Sequence, residues 1–285
     1  MLIDGKKVAQ EIIAKAKRES QKLQEEGISV GLAVIMVGEN AASKVYVNKK
    51  HIACKEAGIN SEQYSLPSEA SQEEVENLIK NLNSQKSISG ILVQLPLPKH
   101  IDSKAVCEKI HPLKDVDGFT TYNSGKLFQG DPVLTPCTPA GIMELLKYYN
   151  INPEGKNCVV IGRSNIVGKP MAMLMLEKNA TVTICHSKTP NLEEICRGCD
   201  IIISAVGKPN FLNSKMVKKG CVVIDVGINR NESGKLCGDV AFEEVSPLCS
   251  YITPVPGGVG PMTVAMLIQN TVTAAKIQNK FKGEN

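Results

Sequence analysis

The chain has no block of Lys or Arg longer than two residues, and its formal net charge is only +4 over 285 residues. That excludes the basic stripe of a nucleic-acid binder and leaves small acidic molecules as partners. The opening residues, Met1-Leu2-Ile3-Asp4-Gly5-Lys6-Lys7, lack the apolar core of a signal peptide. There is no long unbroken apolar run either. The longest uncharged stretch, Val245 to Ala275, is interrupted by Pro247, Pro254, Pro256, Gly257, Gly258, Gly260 and Pro261. Its remainder, Met262 to Ala275, falls short of the about 20 residues a membrane span needs. Ten cysteines would imply a disulfide framework only in a short secreted chain, so reduced thiols and a cytoplasmic location are expected. What is present is ordinary for a folded protein: 42% apolar and 22% charged residues, at a length that suits about two domains.

Helical and strand periods alternate along the first third. Val8, Ile12, Ala16 and Leu23 share a helical stripe, Gly27 stops it, and Val30–Val37 reads as a buried strand. A helix follows from about Ala41 to Ala57. Ser71-Gln72-Glu73-Glu74 has the form of a capping box opening the next helix, and Ile88–Leu95 reads as a strand ended by Pro96 and Pro98. Strands joined by helices of this length imply parallel β-α-β units, because parallel neighbours need a crossover. Between Pro112 and Pro139 the periodicity dissolves into a loop-rich junction, after which Thr138-Pro139 supplies an N-cap and first-turn proline. Strands near Cys158–Ile161, Thr181–Cys185, Ile201–Ser204 and Val222–Val226 then predict a second parallel sheet. The last helix carries Val264, Leu267, Ile268 and Val272 on one face and must cover apolar surface. The fold class is therefore α/β: an N-terminal α/β domain, residues 1–138, which the helix 262–285 could return to complete, and a Rossmann-like doubly wound parallel-sheet domain, 139–261, with a cleft expected between them.

Val159 to Pro170 is a strand, a glycine turn and a helix start. Gly162 allows the tight turn, Gly168 allows close packing at the helix entrance, and the amides between them can bind phosphate. The spacing departs from Gly-x-Gly-x-x-Gly: Ser164 takes the middle place and the last glycine comes one residue late, so a plain β-α turn is the competing reading. An NAD binder usually ends the next strand with an acid on the ribose hydroxyl. Here Thr181–Cys185 runs into His186-Ser187-Lys188. A hydroxyl and cations suit a 2′-phosphate, and Arg163 offers a forked donor set, so NADP is favoured over NAD, against the alternative that Arg163 and Lys188 are solvated surface charges.

Tyr46 and Lys50, four apart, share a helix face. Tyr46 offers a flat ring to a planar ligand, and Lys50 an amine that can lose its proton when desolvated or set beside another cation. For an isolated pair an interfacial Tyr and an exposed Lys would be the simpler reading. Their company is Gln94 at the carboxyl end of a strand and Asp117 in the polar junction, places where α/β proteins put ligands. With Ser43-Lys44-Val45-Tyr46-Val47-Asn48-Lys49-Lys50, Gly90 to Pro98, Lys114-Asp115-Val116-Asp117-Gly118-Phe119, Thr135 to Pro139, Gly162 to Pro170, and Pro256-Gly257-Gly258-Val259-Gly260-Pro261-Met262-Thr263, the chain resembles the bifunctional methylenetetrahydrofolate dehydrogenase/cyclohydrolase family over nearly its whole length.

The resemblance implies NADP-dependent oxidation of 5,10-methylenetetrahydrofolate to the methenyl cation and hydrolysis of that cation to 10-formyltetrahydrofolate. It implies that Lys50 moves the proton of hydrolysis, Tyr46 packs on the folate, Gln94 tunes Lys50, and Asp117 accepts from the pterin N–H groups. It places the nucleotide on Gly162, Arg163, Ser164, Gly168, Ser187 and Ile228, has Pro256, Gly257 and Gly258 contact the substrate, and implies a homodimer. It also accounts for the lack of a histidine placed as an alcohol dehydrogenase's acid or base, since the folate nitrogens themselves stabilise the carbon as hydride leaves. A monofunctional dehydrogenase, a shikimate-type dehydrogenase and a non-catalytic folate or nucleotide sensor are the alternatives.

Three other features are given no chemical role. Asp115 and Asp117 have a spacing that can mean metal, but no His or third acid lies near. Cys196 and Cys199 end a helix, whereas a redox pair normally opens one, and with Cys185 and His186 they make a poor zinc set. His51 points about 100° from Lys50 on an ideal helix and reads as a packing residue.

Overall fold

The computed structural model describes residues 1–280, apart from the side chains of 41 and 42, so the expected end of the last helix at 281–285 lies outside the described residues. The chain divides into two compact units. One comprises Gln10–Cys137 and the chain from Val264 onward, the other Met1–Ala9 and Thr138–Thr263.

In the first unit, α1 (Gly5–Glu25, entering from the other unit) leads to β1 (Gly31–Val37), α2 (Ala41–Glu56), β2 (Asn60–Leu66), α3 (Gln72–Ser84), β3 (Gly90–Val93), α4 (Ser103–Cys107) and α5 (Thr121–Phe128). The sheet is wholly parallel in the order β2-β1-β3. Every residue of β1 and of β3 is buried, which is why both read as continuous apolar runs. The Ser71 capping box forms as expected, with Glu74 returning its carboxylate to the Ser71 N–H at 2.7 Å. The core joins Ala33, Ile35 and Val37 to Val75, Ile79 and Leu82 of α3 and to Ile91 and Val93. The junction after Pro112 is less irregular than its composition suggests, because Thr120 caps α5 inside it.

The second unit runs α6 (Cys137–Tyr148), β4 (Asn157–Ile161), α7 (Gly168–Glu177), β5 (Thr181–Cys185), α8 (Leu192–Gly198), β6 (Ile201–Ser204), β7 (Cys221–Asp225), β8 (Asn229–Arg230), β9 (Leu236–Cys237), α9 (Phe242–Val245), β10 (Cys249–Ile252) and α10 (Val259–Lys280). Its five-stranded sheet is parallel throughout, in the order β10-β7-β6-β4-β5. Beyond Thr263, α10 packs in the first unit, with Leu267, Ile268 and Val272 almost wholly buried.

Met1–Ala9 group by contact with the second unit: Ile3 N–H donates to the Ile252 carbonyl at 2.9 Å and Ile252 N–H to that of Met1 at 3.0 Å, so the first residues continue the second sheet past β10. One feature departs from the sequence expectations. Thr138 is not an N-cap, because α6 starts one residue earlier and the Thr138 hydroxyl pairs with that of Thr263 at 2.9 Å.

Candidate functional site

Both sheets reverse their strand order about one strand. In the first, β2 lies on one side of β1 and β3 on the other; in the second, β5 and β6 flank β4. Open α/β sheets bind ligands outside the carboxyl ends at such a switch point.

In the first unit Gln94 directly follows β3. Its N–H donates to the Ile35 carbonyl at 2.8 Å, which prolongs the ladder with β1, and its Nε2 donates to the Leu95 carbonyl at 2.8 Å. The side-chain oxygen is thereby turned to α2, where it accepts from Lys50 Nζ at 2.9 Å. Lys50 is only 9% exposed. It makes none of the chain's ion pairs among the described residues, so its charge is held on a neutral amide. Tyr46, one turn earlier, is half-buried, with Lys49 Nζ 5.8 Å from its ring centre.

Asp117 is half-buried in a turn that Gly118 continues at φ 70°. Burial pushes its carboxyl up to about 6; the charge of Asp115 adds to this, while Lys50 and the Cys137 thiol, 3.8 Å from Oδ1, oppose it. Lys50, Gln94 and Asp117 are thus brought into one electrostatic neighbourhood. Asp115 is spent on its own loop: its oxygens accept from Phe119 N–H at 3.1 Å, Thr120 N–H at 2.8 Å and Asn123 Nδ2 at 2.9 Å. Sequence reasoning missed Asn270, a buried amide on α10 that donates to the Val116 and Thr135 carbonyls, both at 2.9 Å, and so clamps the turn bearing Asp117. The available signal was a polar residue inside an otherwise apolar helix face. His51 is exposed, not packed, and with Lys44, Asn48, Ser61, Gln63 and Ser65 it lines a cavity of about 440 Å³ whose lining does not include Lys50.

In the second unit the turn after β4 is built on its glycines. Gly162 has φ 136°, a conformation rarely open to side chains, and a Cβ there would lie 2.5 Å from the Ala205 carbonyl oxygen. A Cβ on Gly168 would run into the Gly162 carbonyl. Ser164 Oγ caps the turn, accepting from Val167 N–H at 3.1 Å and Gly168 N–H at 3.3 Å. The N–H groups of Arg163 to Ile166 are not consumed by the fold, and the Arg163 side chain is exposed. A glycine cradle with unspent amides before a helix fits a nucleotide's phosphates.

Ser187 and Lys188 are exposed in a turn closed by His186 N–H to Thr189 Oγ1 at 2.9 Å, with no acid among 185–189. Ile228 follows β7 and is 52% exposed beside the buried Gly227. Pro256, Gly257 and Gly258 form a loop that holds the N-terminal segment, Gly5 N–H donating to the Gly257 carbonyl at 2.9 Å. Cys196 and Cys199 are buried, reduced thiols; burial pushes that of Cys196 up to about 12. No group of three or more His, Cys, Asp or Glu side chains suited to a metal occurs among the described residues.

Two parallel α/β sheets with ligand-ready carboxyl edges define a nucleotide-linked enzyme fold with a buried lysine centre, and comparison with known proteins specifies the class. Residues 3–117 match the tetrahydrofolate dehydrogenase/cyclohydrolase catalytic domain and 136–279 the NAD(P)-binding domain of the same family. A relative from Acetivibrio thermocellus, the bifunctional protein FolD, is 56% identical over 281 residues, covering 99% of each chain. The crystal structure of the bifunctional enzyme FolD, a methylenetetrahydrofolate dehydrogenase/cyclohydrolase from Campylobacter jejuni, superposes with a TM-score of 0.96 at 53% identity, covering 98% of this chain and 99% of that one. The Trypanosoma brucei dehydrogenase-cyclohydrolase, solved with NADP and an inhibitor, gives 0.94 at 39% identity, covering 98% of each. The chain belongs to the tetrahydrofolate dehydrogenase/cyclohydrolase family.

Proposed function

We infer that this chain carries out both reactions of its family: NADP-dependent oxidation of 5,10-methylenetetrahydrofolate to the methenyl cation, and hydrolysis of the cation to 10-formyltetrahydrofolate. The observation that carries the reading is the buried Lys50 amine held on the Gln94 oxygen at the mouth of the first sheet.

Oxidation asks little acid–base chemistry of the protein, because the folate nitrogens' lone pairs stabilise the carbon that loses hydride. When bound, NADP supplies the hydride acceptor. The residues assigned to hold it are Gly162, Arg163, Ser164 and Gly168 at the phosphates, with Ser187 after β5 and Ile228 after β7. The missing acid after β5 and the exposed Arg163 and Lys188 suit a 2′-phosphate. Tyr46 offers its ring to the folate, and Asp117, ionised at neutral pH, accepts from the pterin N–H groups. Pro256, Gly257 and Gly258 are assigned to the substrate on family resemblance alone.

Hydrolysis needs a proton moved. A methenyl cation beside Lys50 disfavours its ammonium form, and neutral Nζ takes a proton from the water that adds to the cationic carbon. Lys50 returns this proton to the ring nitrogen as the carbon–nitrogen bond breaks, and the remaining hydroxyl proton leaves to solvent as the formyl carbonyl forms. Gln94 fixes Nζ for both transfers.

The assembly proposed is a homodimer, and the location proposed is the cytoplasm. No helix among the described residues is long and apolar enough to cross a membrane. The test is hydrolysis of methenyltetrahydrofolate by the purified protein with no nucleotide present. Turnover well above the uncatalysed rate is expected, and its absence alongside NADP reduction would leave a monofunctional dehydrogenase.

A further inference from the structure

The second unit contains two buried carboxylates that neither reaction uses directly. Asp239 is fully buried, and its oxygens accept five hydrogen bonds: from Val206 N–H at 2.6 Å, Gly207 N–H at 3.1 Å, Lys208 N–H at 3.0 Å, the Ser204 hydroxyl at 3.3 Å and Asn229 Nδ2 at 2.8 Å. Three successive backbone N–H groups curling round one carboxylate form the kind of nest that binds anions. Asp225, 3% exposed at the end of β7, in turn accepts from Gly227 N–H, Asp239 N–H and Val240 N–H at 2.9, 2.9 and 3.0 Å.

Glycines make this interlock possible. A Cβ on Gly227 would lie 2.5 Å from Asp239 Cγ, and one on Gly238 would collide with the Asp225 carboxylate. Burial pushes the Asp225 carboxyl up to about 6, so the pair is an expensive way to fill a core.

The segments gathered by Asp239 all lie at the carboxyl edge of the sheet. Ser204 ends β6 and the turn 205–208 follows it, and Asn229 adjoins Ile228 after β7. The Ala205 carbonyl occupies the space a Gly162 side chain would need, so this turn also backs the glycine loop after β4.

We propose that Asp239 is a positioning residue for the nucleotide: through the 206–208 nest and Asn229 it locks the loops after β6 and β7 into the shape that receives NADP. The inference rests on reading this sheet edge as the NADP site.

Asp239→Asn puts an amide donor where an acceptor oxygen faces N–H groups. We expect the KM for NADP to rise about tenfold or more, with kcat at saturation changed by less than about threefold and nucleotide-free methenyl hydrolysis within about twofold of wild type. A role confined to folding would lower both activities together and leave KM unchanged. Asn229→Ala, which removes one donor, is the milder variant, with an expected KM rise of about threefold, and it decides the matter if Asp239→Asn does not fold. An unchanged NADP KM in a folded variant, or matched loss of both activities, overturns the proposal. Arg163→Ala run in parallel separates the two readings. If it shifts the NADP KM while Asp239→Asn does not, only the positioning role fails; if neither shifts it, the site itself is misplaced.

Discussion

Lys50→Met removes the amine while keeping an unbranched side chain of similar length in the same buried place. The structure assigns that amine one hydrogen bond, 2.9 Å to Gln94 Oε1, and the inferred mechanism gives it two proton transfers. A positioned acid–base group is worth about 100- to 10,000-fold in rate, or ~3 to ~5 kcal/mol at the barrier. Methenyl hydrolysis should fall by that factor in kcat. Stability should change much less, because the loss of one hydrogen bond, ~1 kcal/mol, is offset by no longer burying an ammonium. The assay is the decay of methenyl absorbance without nucleotide, beside NADPH binding by fluorescence and a thermal melt. Hydrolysis within about tenfold of wild type, in a protein that melts normally, would refute Lys50 as the proton carrier. A matched loss of NADPH binding would mean the variant is misfolded or the role misassigned.

Further outcomes follow from the same geometry. Because the Asp117 carboxyl is raised to about 6, folate-analogue affinity should weaken as pH falls through about 6, and Asp117→Asn should flatten that profile. A raised folded pKa contributes stability that is present at low pH and lost as pH rises through about 6, so Asp117→Asn should melt at or above the wild-type temperature at neutral pH while binding folate worse. Asn270→Leu leaves the Val116 and Thr135 carbonyls without their donor and should raise the folate KM several-fold with the NADP KM unchanged; equal KM values for the two enzymes would remove Asn270 from the site. Gly168→Ala drives a methyl into the Gly162 carbonyl and should weaken NADP binding by about tenfold or more, read by fluorescence titration. The sheet ends at β5, with Ile184 38% exposed beside its free edge; light scattering should report a dimer that Ile184→Asp weakens.

The parts of the fold legible in the sequence were those buried on both faces. β1, β3, β6 and β7 are buried along their whole length, and their continuous apolar runs stand out against the polar helices. β2 did not stand out, because Asn60-Ser61-Glu62-Gln63-Tyr64-Ser65-Leu66 is an exposed edge held by backbone pairing with β1. α5 was hidden by Gly125 and a polar composition, since Thr120 capping and the bond from Asn123 to Asp115 fix it more than any apolar stripe does.

The site divides the same way. Tyr46 and Lys50 share a face by helical spacing, and the family motifs supply Gln94 and Asp117. The Lys50–Gln94 bond spans 44 positions and could not be read from spacing. Asp239 acts on backbone groups remote in the chain, so no local pattern marks it, and Asn270 shows only as a polar residue within an apolar helix face. What ties residues 1–9 to the second unit is main-chain pairing to Ile252, which carries no composition signal.

The most direct measurement is a single reaction of purified protein with 5,10-methylenetetrahydrofolate, run with NADP and again with NAD, in which reduced cofactor and 10-formyltetrahydrofolate are both quantified. Reduction with NADP should run well ahead of that with NAD, and 10-formyl product should accumulate with the reduced cofactor from the same enzyme. Reduction that stops at the methenyl compound would contradict the hydrolytic role of Lys50, and preference for NAD would contradict the reading of Arg163 and Lys188 as suited to a 2′-phosphate.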